Sequence, residues 1–131
     1  MLLTIMIRLL LLSLLLLPLQ AKHLQYEKVY QKIFCEKIHG QTEVVLSDRT
    51  RVDCLSKNYA IEVDFAPKWH ESIGQSLYYA ISTNKKAGVL LILEDEKRDI
   101  RYLKRLKKVA LQNNIRIWTI NHKMQIRQIY H

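Results

Sequence analysis

Glycine and proline are scarce in this 131-residue chain, three of the first and two of the second. So few backbone breakers exclude long flexible linkers and point to one compact domain with short connections. No glycine-rich loop is present to cradle a nucleotide phosphate, and no Ser, His and Asp set forms a recognisable nucleophile motif. Cysteine is equally sparse. Cys35 and Cys54 have only His39 between them as a further ligand, which excludes a zinc pattern. In an oxidising compartment the two would join the first helix to a strand; elsewhere they would be two buried thiols. Acids are the minority charge, 12 Asp and Glu against 21 Lys and Arg, a net of +9. That imbalance suits a polyanionic partner, either nucleic acid or an anionic membrane surface.

What the chain does have in excess is leucine near its start. Leu9 to Leu17 is almost unbroken, and Pro18-Leu19-Gln20-Ala21 separates it from a charged run beginning at Lys22. An apolar h-region followed by a small residue reads as a secretory signal over residues 1–21. An uncleaved anchor is the alternative, because Leu2 to Leu19 approaches spanning length apart from Arg8. A cytoplasmic domain that starts near Lys22 is the third reading. Export is favoured, with membrane contact only through this segment if it stays attached. Loss of residues 1–21 removes only Arg8 and leaves 20 basic against 12 acidic residues, net +8.

Residues 23–38 read as an amphipathic helix with Tyr26, Val29, Tyr30, Ile33 and Phe34 as its stripe and Gly40 as its end. A strand follows over Glu43–Leu46, then two alternating strands around Asp53 and over Ala60–Phe65. A helix from Trp69 to Ser82 precedes a turn at Lys85-Lys86-Ala87-Gly88 and the continuously apolar Val89–Leu93, the pattern of a strand covered on both faces. A basic helix over Glu96–Gln112 turns Ile100, Leu103, Leu106, Val109 and Ala110 inward, and Ile115–Ile120 is the last assigned strand. Three meandering strands followed by strand–helix–strand crossovers predict an α/β domain over residues 22–131, a mixed sheet with helices on both faces.

The hairpin carries the chemistry. With Ser56-Lys57-Asn58-Tyr59 between the strands, Leu55 faces Ala60, Asp53 faces Glu62 and Arg51 faces Asp64. Asp53, Glu62 and Asp64 then share one face, with Val52, Cys54, Ile61, Val63 and Phe65 mostly on the other. Converging carboxylates are what a divalent metal needs. Alone, such acids are more often a solvated face, and Arg51 opposite Asp64 an ordinary cross-strand pair.

Asp53, Glu62 and the Gln75-Ser76-Leu77-Tyr78-Tyr79 run that follows them, in this order of elements, resemble the PD-(D/E)XK nuclease superfamily. The resemblance covers residues 23 to about 120 and implies a restriction-endonuclease-like αβββαβ core, with an extra C-terminal helix and strand. It implies that Asp53 and Glu62 hold Mg²⁺, or Mn²⁺ in its place, with the Val63 carbonyl or a further acid beside them. Glu43 is preferred over Glu36 for that acid. Gln75 and Tyr79 look like the glutamine–tyrosine motif of RecB-type exonucleases. The family's lysine position, two after Glu62, holds Asp64, which carries no positive charge. Lys68 is the first candidate to replace that cation and Arg51 the second, leaving Asp64 to help hold the metal. The implied activity is metal-dependent hydrolysis of phosphodiesters in nucleic acid, with DNA favoured and RNA left open, and with no small-molecule cofactor. Arg51, Arg101, Lys104, Arg105 and Lys108 are the expected phosphate contacts. The alternative is an exported binding or interaction protein that keeps the fold with an inactive site.

Overall fold

Val89–Leu93 has no polar position, and it lies in the middle of the sheet, where both faces of a strand are covered. The computed structural model of the chain describes residues 1–7 and 22–129. Most of the expected export signal or anchor, residues 8–21, lies outside the described residues. Among those described, no helix is long and apolar enough to cross a membrane.

Helix α1 (Glu27–Lys37) leads into strands β1 (Gln41–Val45), β2 (Arg51–Leu55) and β3 (Tyr59–Phe65). A 3-10 turn over Ala66–Lys68 runs directly into α2 (Trp69–Thr83), which crosses to β4 (Lys86–Leu93). Helix α3 (Glu96–Asn113) then crosses to β5 (Arg116–Asn121), and β6 (Ile126–Ile129) returns beside it. The six strands stand in the order β1-β2-β3-β4-β5-β6, parallel for β3–β4–β5 and antiparallel elsewhere. The molecule is therefore an α/β domain built on a six-stranded mixed sheet flanked by helices.

Strand alternation divides the core in two. On one face Tyr30, Phe34 and Cys35 of α1 pack on Ile61, Val63, Leu90, Ile92, Trp118 and Ile120. On the other, α2 and α3 cover Val89, Leu91, Leu93 and Ile117 with Leu103, Leu106 and Ala110. Each large side chain so buried contributes roughly 1.5–3 kcal/mol. Gly88 lets β4 run close beneath Trp118, since a Cβ there would stand 2.8 Å from the Trp118 ring and 2.9 Å from Ile61. Asp95 caps α3 by accepting from the Arg98 N–H at 3.1 Å.

Several expectations are corrected. Helix α1 starts at Glu27 rather than residue 23, because the bent segment before it is held outside the helix by Glu94, the residue after β4. Its carboxylate accepts from the Leu24 N–H at 2.9 Å and the Gln25 N–H at 3.2 Å, and pairs with His23 Nδ1 at 2.9 Å. Tyr26 consequently stays outside the core, 85% exposed. The left-handed residue that ends α1 is His39, φ 56°, not Gly40. The His39 N–H bonds the Glu36 carbonyl and the Gly40 N–H the Cys35 carbonyl, a Schellman closure. Gly40 is needed for space instead: a Cβ would lie 2.8 Å from each sulfur of the Cys35–Cys54 disulfide that ties α1 to β2.

Strand β1 begins at Gln41, two residues before the expected start, and ends at Val45. Lys86-Ala87-Gly88 belongs to β4, so the turn is confined to Asn84, left-handed at φ 53°, and Lys85. Ile100 faces solvent. Strand β6 was not expected; its short IRQI run has too few residues to show alternation.

Candidate metal centre

Asp53 lies where strand β2 leaves its regular pairing. On one side, the Thr42–Cys54 and Val44–Val52 pairs flank Glu43, which takes φ 56°, a left-handed value rare for a residue with a side chain. On the other, β2 pairs with β3 only through Leu55–Ala60 and Cys54–Ile61, in the register that the four-residue connection predicts. Beyond that point the Val63 N–H donates to Asp53 Oδ2 at 2.8 Å, a side chain taking the place of a ladder bond. The Asp53 carbonyl accepts from Gln31 Nε2 of α1 at 2.7 Å. The irregularity also turns Val52 to the α2 side, against Ala60 and Tyr79, so Val52 and Cys54 do not share a face as expected.

Glu62 and Asp64 follow on the same face of β3 as Ala60, each only 6% exposed. The Glu62 and Asp53 carboxyls interact directly, an interaction that raises the proton affinity of Glu62 and lowers that of Asp53. Glu62 Oε2 and Asp64 Oδ2 are buried and have no hydrogen-bond partner. Burial, then the charges of Asp53 and Asp64, push Glu62 far above the usual carboxylate range. Burial likewise raises Asp53, against the Val63 N–H, which favours its charged form. Asp64 is pushed to about 7 by burial and by the charges of Glu27 and Asp53, with Lys68 opposing. Close, desolvated carboxylates of this kind disfavour one another's charge in the absence of a cation.

Glu27 is the acid that sequence reasoning missed. It stands at the start of α1, half-buried, and its own affinity for a proton is raised by burial and then by Asp53. Lys68, at the end of the 3-10 turn, counteracts this and acts on Asp64 as well, so one exposed cation addresses two acids of the cluster. A helical position 26 residues before Asp53 carries no local signal of this meeting; only the packing of α1 across β2 and β3 produces it.

The preferred further acid, Glu43, faces the same cleft, but its carboxylate is held by Arg51 Nε at 2.9 Å and Lys28 Nζ at 3.8 Å. Arg51 therefore pairs with Glu43 and not with Asp64, because the β2–β3 ladder ends before reaching them. Glu36 is exposed and pairs with Lys32. Gln75 and Tyr79, four apart on α2, both line the cleft, which has a volume of about 500 Å³ and includes Asp53 and Glu62. The Tyr79 hydroxyl is bonded to the Arg51 N–H, and burial, then the charges of Glu62 and Asp53, keep it protonated. Arg49, Arg51 and Lys28 form the basic rim of this cleft. The α3 cations lie apart: none lines it, although Arg98 and Arg101 border a neighbouring hollow with Pro67, beside Lys68. Arg101 and Arg105 lie against the Tyr102 ring, 4.8 and 5.7 Å from its centre.

Among the described residues, no group of three or more His, Cys, Asp and Glu side chains is placed so that it could hold a metal ion by itself. Mg²⁺ commonly uses one or two carboxylates and fills its remaining positions with water and substrate oxygens. Two unpartnered buried carboxylate oxygens, on acids whose charge is disfavoured until a cation offsets it, fit such an ion. No family model, curated protein or solved structure matches the chain.

Proposed function

We propose that the protein is a Mg²⁺-dependent nuclease of the PD-(D/E)XK type, hydrolysing phosphodiester bonds in DNA. The observation that carries this reading is the Asp53–Glu62–Asp64 cluster, in which buried carboxylate oxygens of Glu62 and Asp64 are left unpartnered and Asp53 and Glu62 line an open cleft with a basic rim. The αβββαβ order of α1 to β4, with Gln75 and Tyr79 on the cleft side of α2, supports it.

Asp53 and Glu62 are the residues that would hold the ion, and Asp64 lies on the same face of β3. A bound Mg²⁺ would supply charge neutralisation at the phosphate and a water acidified toward neutrality. The chain's own groups do the rest. Lys68 brings positive charge to Asp64 and Glu27, the role that a lysine at position 64 would otherwise fill. Arg49 and Arg51 face incoming phosphates at the rim, and the exposed Gln75 amide can orient a phosphate oxygen or a water. The hydrogen bond from Val63 fixes the direction of the Asp53 carboxylate before substrate arrives. Arg101, Lys104, Arg105 and Lys108 on α3 extend the positive surface beyond the Lys68 turn. The Cys35–Cys54 disulfide suits an oxidising compartment and supports export.

The second reading is a binding protein with an inactive site, favoured by Asp64 standing where the family has lysine. Cleavage of plasmid and linear DNA by the purified protein, with Mg²⁺, Mn²⁺ or EDTA, separates the two. The nuclease reading expects metal-dependent cutting that is lost in Asp53→Ala/Glu62→Ala and falls about 10²–10³-fold in Lys68→Ala, the scale of losing one fixed charge-stabilising donor. Salt-sensitive DNA binding without cutting, unchanged by the double substitution, would establish the binding protein instead.

A further inference from the structure

Helix α1 presents Glu27, Gln31 and Cys35 at four-residue intervals, and so along one stripe. All three meet the metal centre or its support. Glu27 acts on Asp53 and Asp64 through charge, Gln31 bonds the Asp53 carbonyl, and Cys35 is bonded to Cys54, the residue after Asp53. Gln31 is only 2% exposed, and a buried amide is kept where its hydrogen bond is made. Asp53 needs such support, because its strand has lost regular pairing on both sides at this point.

We infer that Gln31 and the Cys35–Cys54 disulfide form a positioning device for Asp53, so that the geometry of the metal centre depends on the redox state of the two cysteines. This inference rests on the proposed role of Asp53. Gln31 holds the Asp53 main chain from α1, and the disulfide holds α1 at the distance where that bond can form. A dithiol reductant breaks the S–S bond, delivering two electrons and two protons to leave two thiols, and itself becomes a disulfide. The helix is then free to move from β2, the bond to the carbonyl lengthens, and the Asp53 carboxylate drifts from the Val63 N–H.

That N–H is a direct reporter that requires no activity. Amide hydrogen exchange of the full chain is followed by NMR in EDTA for the oxidised protein, the dithiol-reduced protein and Gln31→Met. The expected result is exchange at Val63 accelerated at least tenfold more than at Leu90 and Ile117 in the central ladder, in both altered forms, with reoxidation restoring it. Should Gln31→Met fail to fold, reduction and reoxidation of the unaltered chain carry the same comparison. Acceleration at Val63 only in step with Leu90 and Ile117 would overturn the inference, since it reports a general loss of stability. In the cutting assay the device predicts a fall in kcat larger than any change in KM for DNA, because Arg49, Arg51 and the α3 cations lie outside the helix that is released and only Lys28 of the rim moves with it. Selective exposure of Val63 in a chain that never cuts DNA refutes the nuclease and keeps the device. Cutting with Val63 unaffected does the reverse.

Discussion

Asp64 occupies a position where the resemblance calls for a cation, and its surroundings give this substitution a measurable signature. Its proton affinity is raised by burial, then by Glu27 and Asp53, to about 7 against an ordinary value of 3.8. A group raised on folding stabilises the native state fully below its unfolded pKa, and that stability is lost as pH rises through the folded pKa. The metal-free protein should therefore lose thermal stability steadily between about pH 4 and 7, with Glu62 and Asp53 contributing in the same direction. Asp64→Asn removes the Asp64 share, so its melting temperature in EDTA should fall less over that range. Added Mg²⁺ should raise the melting temperature of the unaltered protein most at the upper end. A melting temperature that rises with pH in EDTA would contradict this account of the cluster.

At the scale of elements, alternation was readable wherever both strands stayed regular. It predicted the Leu55–Ala60 register, and with it the meeting of Asp53 and Glu62. It failed at Val52 and at Arg51, where the left-handed turn at Glu43 and the Asp53–Val63 bond override the period of two. Helical periodicity located Tyr30, Phe34, Leu103 and Leu106, but it could not tell that Tyr26 lies before the helix. Glu27 and Gln31 were invisible for a different reason. A half-buried acid and a buried amide look like any polar helical residues until the sheet they touch is known. Close packing at this scale makes its own prediction. Gly88→Ala places a Cβ against Trp118 and Ile61, so it should destabilise the fold by roughly 1–3 kcal/mol in urea denaturation. A neutral result would mean that the Trp118 ring has room to move.

Across the whole molecule, charge is the organising variable. Asp53, Glu62 and Asp64 gather in one cluster, whereas Arg101, Lys104, Arg105 and Lys108 share an exposed face of α3, with Asp99 withdrawn into the helix start and bonded to Arg98. That separation predicts DNA affinity that falls steeply with salt. Replacing those four cations by Ala should flatten the plot of log K against log[salt] by about 0.9 for each phosphate of duplex DNA that they neutralise. The slope should be unaffected by Asp53→Ala. Equal slopes for the parent and the fourfold variant would place the DNA elsewhere, at the Arg49–Arg51 rim.

The left-handed turn at Glu43 has a consequence of another kind. Among the described residues, strand β1 is an outer strand of the sheet, with β2 on one side only and Val45 exposed. A straight border of that sort is a template onto which a second chain can add itself, the first step toward insoluble aggregates. A left-handed residue in the middle of a five-residue strand breaks the row of free N–H and C=O groups into pieces too short to recruit a neighbour. The residue that frames the cleft therefore also interrupts the border of the sheet, the kind of break by which an outer strand is made a poor template for its own copies.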